Sequence, residues 1–411
     1  MTITLADLET WDRDDGLRTA RDRFRIPEGL VYLDGNSLGA LPAAAPGRVA
    51  EIVAQEWGQG LIGSWNDAGW IDLAARVADK IAAIIGAPPG TVSVADSTSV
   101  NLFKLLAAAL ALRPDRREIL SEEGNFPTDL YVAGGLAATL ASGHVVRTVP
   151  RGQIAAAIGA DTAVVMVTHV NFRTGAMHDM VALTRAAHAA GAVMLWDLAH
   201  SAGAMPLDLA GSDAEFAVGC GYKFLNGGPG APAFLYIRPD LIDQVRLPIR
   251  GWLGHESPFA FDAEYRPAPG IARATVGTAP IISLGALEAG VDTVLAADLH
   301  AVRAKSERMG SVFAELVEQA CPGVFELASP ADPAERGSQV CFRHPDAYAI
   351  MQALIARRVV GDFRAPDILR FGLTPLYVGY ADLGRAAEIL RDIMARQAWR
   401  APAFAQRRAV T

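Results

Sequence analysis

Short apolar runs and longer amphipathic stretches alternate along most of the chain. Runs at 31–33, 91–95, 118–120, 144–149, 163–170, 192–196, 216–221 and 233–237 are bounded by polar or glycine-bearing turns, as expected of buried strands. Between them, 42–57, 70–85, 100–112, 180–190 and 281–295 read as helices. The polar, amphipathic stretch 5–24 reads as a surface helix, and 57–65, rich in glycine with two tryptophans, as a loop suited to an interface or a flat ligand. The β-α-β-α alternation predicts an α/β fold: a mostly parallel sheet with helices on both faces, with 233–237 as the strand that closes it. From about residue 298 the texture changes to charged helices and short strands, an α+β small domain. The expected division is a large domain over 46–295 and a small domain made of 1–45 with 296–411.

Composition narrows the class. Of 411 residues, 51% are hydrophobic and 20% charged, which suits a globular enzyme with a large core. The net charge of -8, without a long basic run, argues against nucleic acid or an anionic membrane surface as partner. Cys220, Cys321 and Cys341 are odd in number and widely spaced, which predicts neither a disulfide framework nor a zinc site; free thiols fit a reducing cytoplasm. The N-terminus lacks a secretory pattern, and the longest apolar run, 105–112, is far too short to span a bilayer.

The chemistry gathers at two strand ends. The run 192–196 ends in Asp197, followed by His200. The run 216–221 ends in Tyr222 and Lys223, followed by the turn Asn226-Gly227-Gly228-Pro229-Gly230. Open α/β sheets bind ligands at that edge. A pyridoxal phosphate enzyme needs this pair, a Lys for the Schiff base and an acid to keep the pyridine nitrogen protonated. Spacing alone also allows Asp197 to open a turn and Lys223 to be a solvated strand end. Thr98 and Ser99 stand where the helix over 100–112 begins. Hydroxyls there cap a helix, and a helix N-terminus also receives phosphate. No GxxxxGK[ST] occurs, which counts against ATP.

The segments GNFPTD, WDLAHSAGAMPLDL and GYKFLNGGPGAPAFLYI resemble the cofactor core of fold-type I pyridoxal phosphate enzymes of the class V aminotransferase group, and within that group are most similar to kynureninase. The resemblance spans 32–377. It implies pyridoxal 5'-phosphate bound to Lys223, with Asp197 at the ring nitrogen and Thr98, Ser99, Phe126, Asp129, Thr168, His200 and Tyr222 as further contacts. Phe126 would stack on the pyridine face, with Asp129 at the ring or its phenolic side. Trp252 and Thr278 would reach the phosphate of a neighbouring subunit, which implies a homodimer with shared sites. Arg370 would bind the substrate carboxylate, against the alternative of a surface Arg on an edge strand, and Ser37 would lie near the substrate.

The reaction so implied is hydrolysis of L-kynurenine, or its 3-hydroxy form, to the matching anthranilate and L-alanine, as in tryptophan degradation. Lys223 would take the Cα proton. Tyr222 would shuttle protons, which for base work requires positive surroundings that lower its pKa. His200 would bond Asp197 or lie near the cofactor. His169 reads as structural. The rivals are a class V aminotransferase or a cysteine desulfurase, which needs a mobile loop cysteine, and a non-catalytic binder of the same fold.

Overall fold

The computed structural model describes residues 2–407. Its centre is a seven-stranded sheet in the order Val92–Val94, Phe234–Ile237, Phe216–Gly219, Val193–Asp197, Thr162–Thr168, Glu118–Glu122, Val145–Val149. All neighbours are parallel except Phe234–Ile237, which runs against both of its own. That strand does not close the sheet as its position in the chain suggested. Val92–Val94 pairs outside it and forms the edge.

Alternation along the central strands divides the interior in two. Val165, Val167, Met194, Trp196 and Ala217 enter one core, against Leu73, Val77 and Ile81 of helix Trp70–Ile84 and Leu284, Leu287 and Val291 of helix Ile281–Leu295. Val164, Met166, Val193, Leu195 and Phe216 enter the other, against Leu102, Leu105 and Leu106 of helix Thr98–Ala111. Strands coated on both faces must be apolar at every position, which is why these runs are continuous rather than alternating.

The C-terminal part carries a four-stranded antiparallel sheet in the order Glu326–Leu327, Gln339–Arg343, Ile368–Gly372, Asp362–Arg364, packed with helices Leu299–Ala320, Ala347–Ala356 and Tyr380–Ala395. The N-terminal segment joins this part: Val31–Tyr32 pairs in parallel with Val359–Val360, and Asp34 bridges to Gly372.

Two predicted stretches differ. The stretch 5–24 breaks after α-helix Leu5–Arg13, whose capping box joins Thr4 and Asp7, and resumes as the 3-10 turn Arg18–Arg23. The helix expected over 42–57 is α-helical only at Ala45–Glu51. It continues as a π-helical stretch, Ile52–Gly60, and helical turns run on through Ser64–Asp67 where a loop was expected. Polar ties stabilise this path. Glu56 receives Arg48 at 2.5 Å and the Trp70 indole N–H at 2.6 Å, and its carbonyl accepts the Ser64 hydroxyl at 2.6 Å.

Candidate active site

The parallel strands end at one side of the sheet, and a cavity of about 540 Å³ opens there. Asp197 is the last residue of its strand, and Tyr222-Lys223 follow Phe216–Gly219. Lys223, Asp197, Tyr222, His200, Thr98, Ser99, Phe126, Asp129 and Thr168 all line this cavity. Nine residues scattered over 126 positions of sequence therefore meet in one place, as the topology requires.

The N-terminal segment packs over the lysine turn. The Gly39 amide donates to the Tyr222 carbonyl at 2.8 Å, and a Cβ on Gly39 would sit 2.4 Å from the Lys223 carbonyl oxygen, so only glycine fits there. Lys223 Nζ lies 3.1 Å from His200 Nε2, and 5.8 Å from the Phe126 ring centre. His200 thus faces the lysine; no bond joins it to Asp197 among the described residues. Burial first, then the charges of Lys223, Arg370 and Arg364, hold His200 well below the ordinary imidazole range, so it is neutral.

Asp197 and Asp129 form a buried acid pair. Burial pushes both carboxyls up. The bond between them raises Asp129 and lowers Asp197, so Asp129 keeps the proton and donates it, and Asp197 keeps the charge. Lys223 and the Ala199 amide, at 2.7 Å, also favour the Asp197 anion. Asp129 therefore sits beside Asp197 on one wall of the cavity. Asn125, absent from the expected set, organises the same wall: its Oδ1 accepts the Thr168 amide at 3.0 Å and hydroxyl at 2.5 Å, and its amide nitrogen donates to Asp129 at 3.3 Å.

Helix Thr98–Ala111 points its N-terminus at the cavity. It starts two residues earlier than predicted, because Ser97 is the cap and accepts the Val100 amide at 3.3 Å. That leaves the Thr98 and Ser99 hydroxyls at the cavity wall. A phosphate at this helix end, an aromatic ring beside Phe126, a ring nitrogen at the Asp197 anion and a carbonyl carbon near Lys223 are the four requirements of pyridoxal phosphate, and residues for each are present.

Tyr222 departs from expectation. Burial, then Cys220 and Asp197, push its phenol above the ordinary value. Burial and these two neighbours outweigh the Lys223 Nζ, 5.8 Å from its ring centre, so it holds its proton and suits donation, not base work.

Arg370 is not on an edge strand. Ile368–Gly372 lies between two others, and the Arg370 side chain is 1% exposed. Its Nε donates to Asp362 Oδ1 at 2.7 Å, its Nη2 pairs with Asp362 Oδ2 and donates to Ser37 Oγ at 2.9 Å, and its Nη1 donates to the Phe172 carbonyl at 2.6 Å. Phe172 in turn lines the cavity and meets Phe126 edge to face at 5.3 Å. Ser37 donates to Asp362 Oδ2 at 2.6 Å. Phe172, Asp362 and Arg364 escaped sequence reasoning: the first sits in a loop, and the other two belong to a short strand without a periodic signal.

Trp252 and Thr278 stand outside the cavity. Trp252 is 38% exposed and packs on Phe259 and Phe261, themselves 65% and 77% exposed, while Thr278 is exposed. His169 is buried, bonded to Ser201 at 2.9 Å and pushed down to about 3 by burial, as a structural histidine should be.

The chain is similar to known proteins over nearly its whole length. The kynureninase C-terminal domain family matches residues 302–390. A kynureninase of Burkholderia pseudomallei is 51% identical over 406 residues, covering 97% of this chain and 98% of that one. A kynureninase of Pseudomonas fluorescens is 49% identical over 414 residues, covering 99% and 100%. Among solved structures, a cysteine desulfurase from Thermococcus onnurineus superposes with a TM-score of 0.78 at 17% identity, over 92% of this chain and 98% of that one. A variant of C-DES, with glycine covalently linked to its PLP cofactor, gives 0.77 at 19%, over 90% and 99%.

Proposed function

The chain belongs to the kynureninase family, and from that premise we propose that the cavity at Lys223 is where it hydrolyses L-kynurenine, or its 3-hydroxy form, to the matching anthranilate and L-alanine. The observation that carries the assignment of residues is the meeting of Lys223, the Asp197 anion and the open end of helix Thr98–Ala111 in one cavity.

Pyridoxal phosphate, when bound, supplies a carbonyl carbon for an amine and a ring that accepts an electron pair. Asp197 would hold its ring nitrogen, Thr98 and Ser99 its phosphate, and Phe126 and Thr168 its faces. Lys223 carries the amine that takes the substrate Cα proton, and neutral His200 orients that amine. Asp129 keeps Asp197 charged by donating to it. Water adds to the side-chain ketone and the Cβ–Cγ bond breaks. The water oxygen ends in the aromatic carboxylate and a proton goes to Cβ, for which Tyr222 is the protonated group in the cavity. Arg370, with Ser37 beside it, belongs to the subsite for the α-carboxylate.

A homodimer follows from the same reading. Trp252 and Thr278, exposed here, would complete the cavity of a second copy. The pairing of Val31–Tyr32 with Val359–Val360 supports grouping 1–45 with 296–411 as a small domain beside 46–295. Three buried free thiols suit a cytoplasmic role in tryptophan degradation, and among the described residues no helix is long and apolar enough to cross a membrane. Cys341 is buried within Gln339–Arg343 and burial pushes its thiol up to about 12, so it is no mobile sulfur carrier.

The test is product analysis. Incubation with kynurenine gives anthranilate and alanine in equal amounts, independent of added keto acids. Keto-acid-dependent turnover, or release of sulfur from cysteine, would replace this reading with one of its rivals.

A further inference from the structure

Helix Thr98–Ala111 buries mostly apolar residues, Leu102, Leu105, Leu106 and Ala108 among them, yet it also buries Lys104 completely. Taking a charged amine out of water is unfavourable unless partners offset it, and an apolar residue of similar length would fill the same space without that cost. The partners of Lys104 therefore indicate what it does.

An ammonium has three N–H groups, and those of Lys104 meet three acceptors from separate parts of the chain. Its Nζ donates to Asp96 Oδ2 at 2.5 Å, to the Ala274 carbonyl at 2.9 Å and to Asn101 Oδ1, one turn earlier on the helix, at 3.4 Å. Asn101, also fully buried, donates in turn to the Ala95 carbonyl at 2.9 Å.

These bonds converge on the turn that opens the helix. Asp96 lies between strand Val92–Val94 and the Ser97 cap, and its backbone is left-handed, with a φ of 53°. A residue other than glycine keeps that conformation where its surroundings impose it. Asp96 also lines the cavity, together with Thr98 and Ser99. Left unpaired, its carboxylate would repel a phosphate at the helix N-terminus; joined to Lys104, the pair adds no net charge there.

The Ala274 carbonyl belongs to the other part of the expected site. It ends the 3-10 turn Gly270–Ala274, and the residues after it pack closely on Gly251 and the turn Trp252–Gly254. A Cβ on Gly251 would sit 1.9 Å from the Val276 carbonyl oxygen, and one on Gly254 2.4 Å from that of Thr275. One buried amine thus joins the turn at the phosphate end of the cavity to the segment that presents Trp252 and Thr278.

We propose that Lys104 is a positioning residue for the cofactor phosphate: it holds the turn 95–97, cancels the Asp96 charge at that end of the cavity, and ties the turn to the segment 251–278. This deepens the cofactor reading of the cavity and rests on it.

The experiment titrates the full-length apoprotein, parent and Lys104→Met, with pyridoxal 5'-phosphate and with pyridoxal, which lacks the phosphate, and follows amide hydrogen exchange over 95–99 and 270–278. Lys104→Met strands the Asp96 carboxylate, so the dissociation constant for pyridoxal 5'-phosphate rises about 10- to 100-fold, the range expected for a lost charge-assisted bond, while that for pyridoxal changes by less than about threefold. Exchange rises in both stretches. Lys104→Met/Asp96→Asn lacks the stranded charge as well as the tie; it shows a smaller, still phosphate-selective loss and covers the case in which the single variant does not fold. Unchanged affinity, or a loss that falls equally on the two compounds, overturns the role at the phosphate, and unchanged exchange over 270–278 overturns the tie. A parent chain that binds neither compound would instead overturn the cofactor reading beneath the proposal.

Discussion

The carboxyl edge of the large sheet and the segment 251–280 hold parts of the same expected site under opposite conditions. At the sheet edge, Asp197, Asp129, His200 and Thr168 are at least nine-tenths buried, and each residue meets a polar neighbour from another strand or helix. In the segment, Trp252 and Phe259 lie in short 3-10 turns and Phe261 follows the second, all with much of their rings in solvent. The first region is organised by contacts within one chain; the second has apolar area exposed to solvent. A fold can preorganise charge by itself, because backbone and buried carboxyls fix the geometry, whereas a loop of exposed aromatics gains its position only when something packs on it.

Substitutions can break this contrast. The largest effect is expected for Lys223→Ala, which removes the amine facing His200: turnover of kynurenine falls by at least about 10³-fold and the visible absorbance of the bound cofactor is lost. Asp197→Asn comes next, with kcat down on the order of 10²–10⁴-fold, since the anion that Ala199 and Asp129 favour is gone. Asp129→Asn keeps a donor toward Asp197 and is milder than Asp129→Ala; steady-state kinetics of the pair checks the proton assignment.

The exposed segment is tested by mixing. Trp252→Ala and Lys223→Ala are each impaired alone. If sites are shared across a dimer, co-refolding them at equal amounts restores about a quarter of the parental activity, because half of the dimers are mixed and each has one intact site. Activity no higher than the average of the two parents would show that Trp252 serves its own chain's cavity or none.

The smallest effect concerns Asp34, beside Asp362 and Ser37 and outside both regions. Its folded pKa is raised, so the folded state keeps a proton that the unfolded chain loses. Its contribution is full below the unfolded value near 4 and is lost as pH rises through about 8. Asp34→Asn should flatten the decline in Tm across that window; an unchanged slope would mean that Asp34 titrates normally.

What was legible in the chain follows the same contrast. Strand ends reveal themselves, since a continuous apolar run must stop where Asp197 and Lys223 begin, and the hydroxyl cluster marks a helix start, but two residues late, because Ser97 is the residue that caps it. The alternative of a surface Arg on an edge strand falls away for Arg370, since Ile368–Gly372 lies between two strands, which periodicity does not reveal. The role of Asp362 was hidden, since an acid eight residues from an arginine looks like any surface pair until the antiparallel register brings them together. The protonated state of Tyr222 was hidden for a similar reason: Lys223 is adjacent in sequence, yet burial first, then Cys220 and Asp197, hold the phenol above its ordinary value. The extended helical path through Gly58, Gly60 and Gly63 depended on Glu56 and Trp70, partners that spacing does not reveal.

The most direct measurement is reduction of the holoenzyme with borohydride followed by peptide mass mapping. The account predicts a single phosphopyridoxyl adduct, on Lys223, lost in Lys223→Ala. An adduct on another lysine, or none, would contradict it.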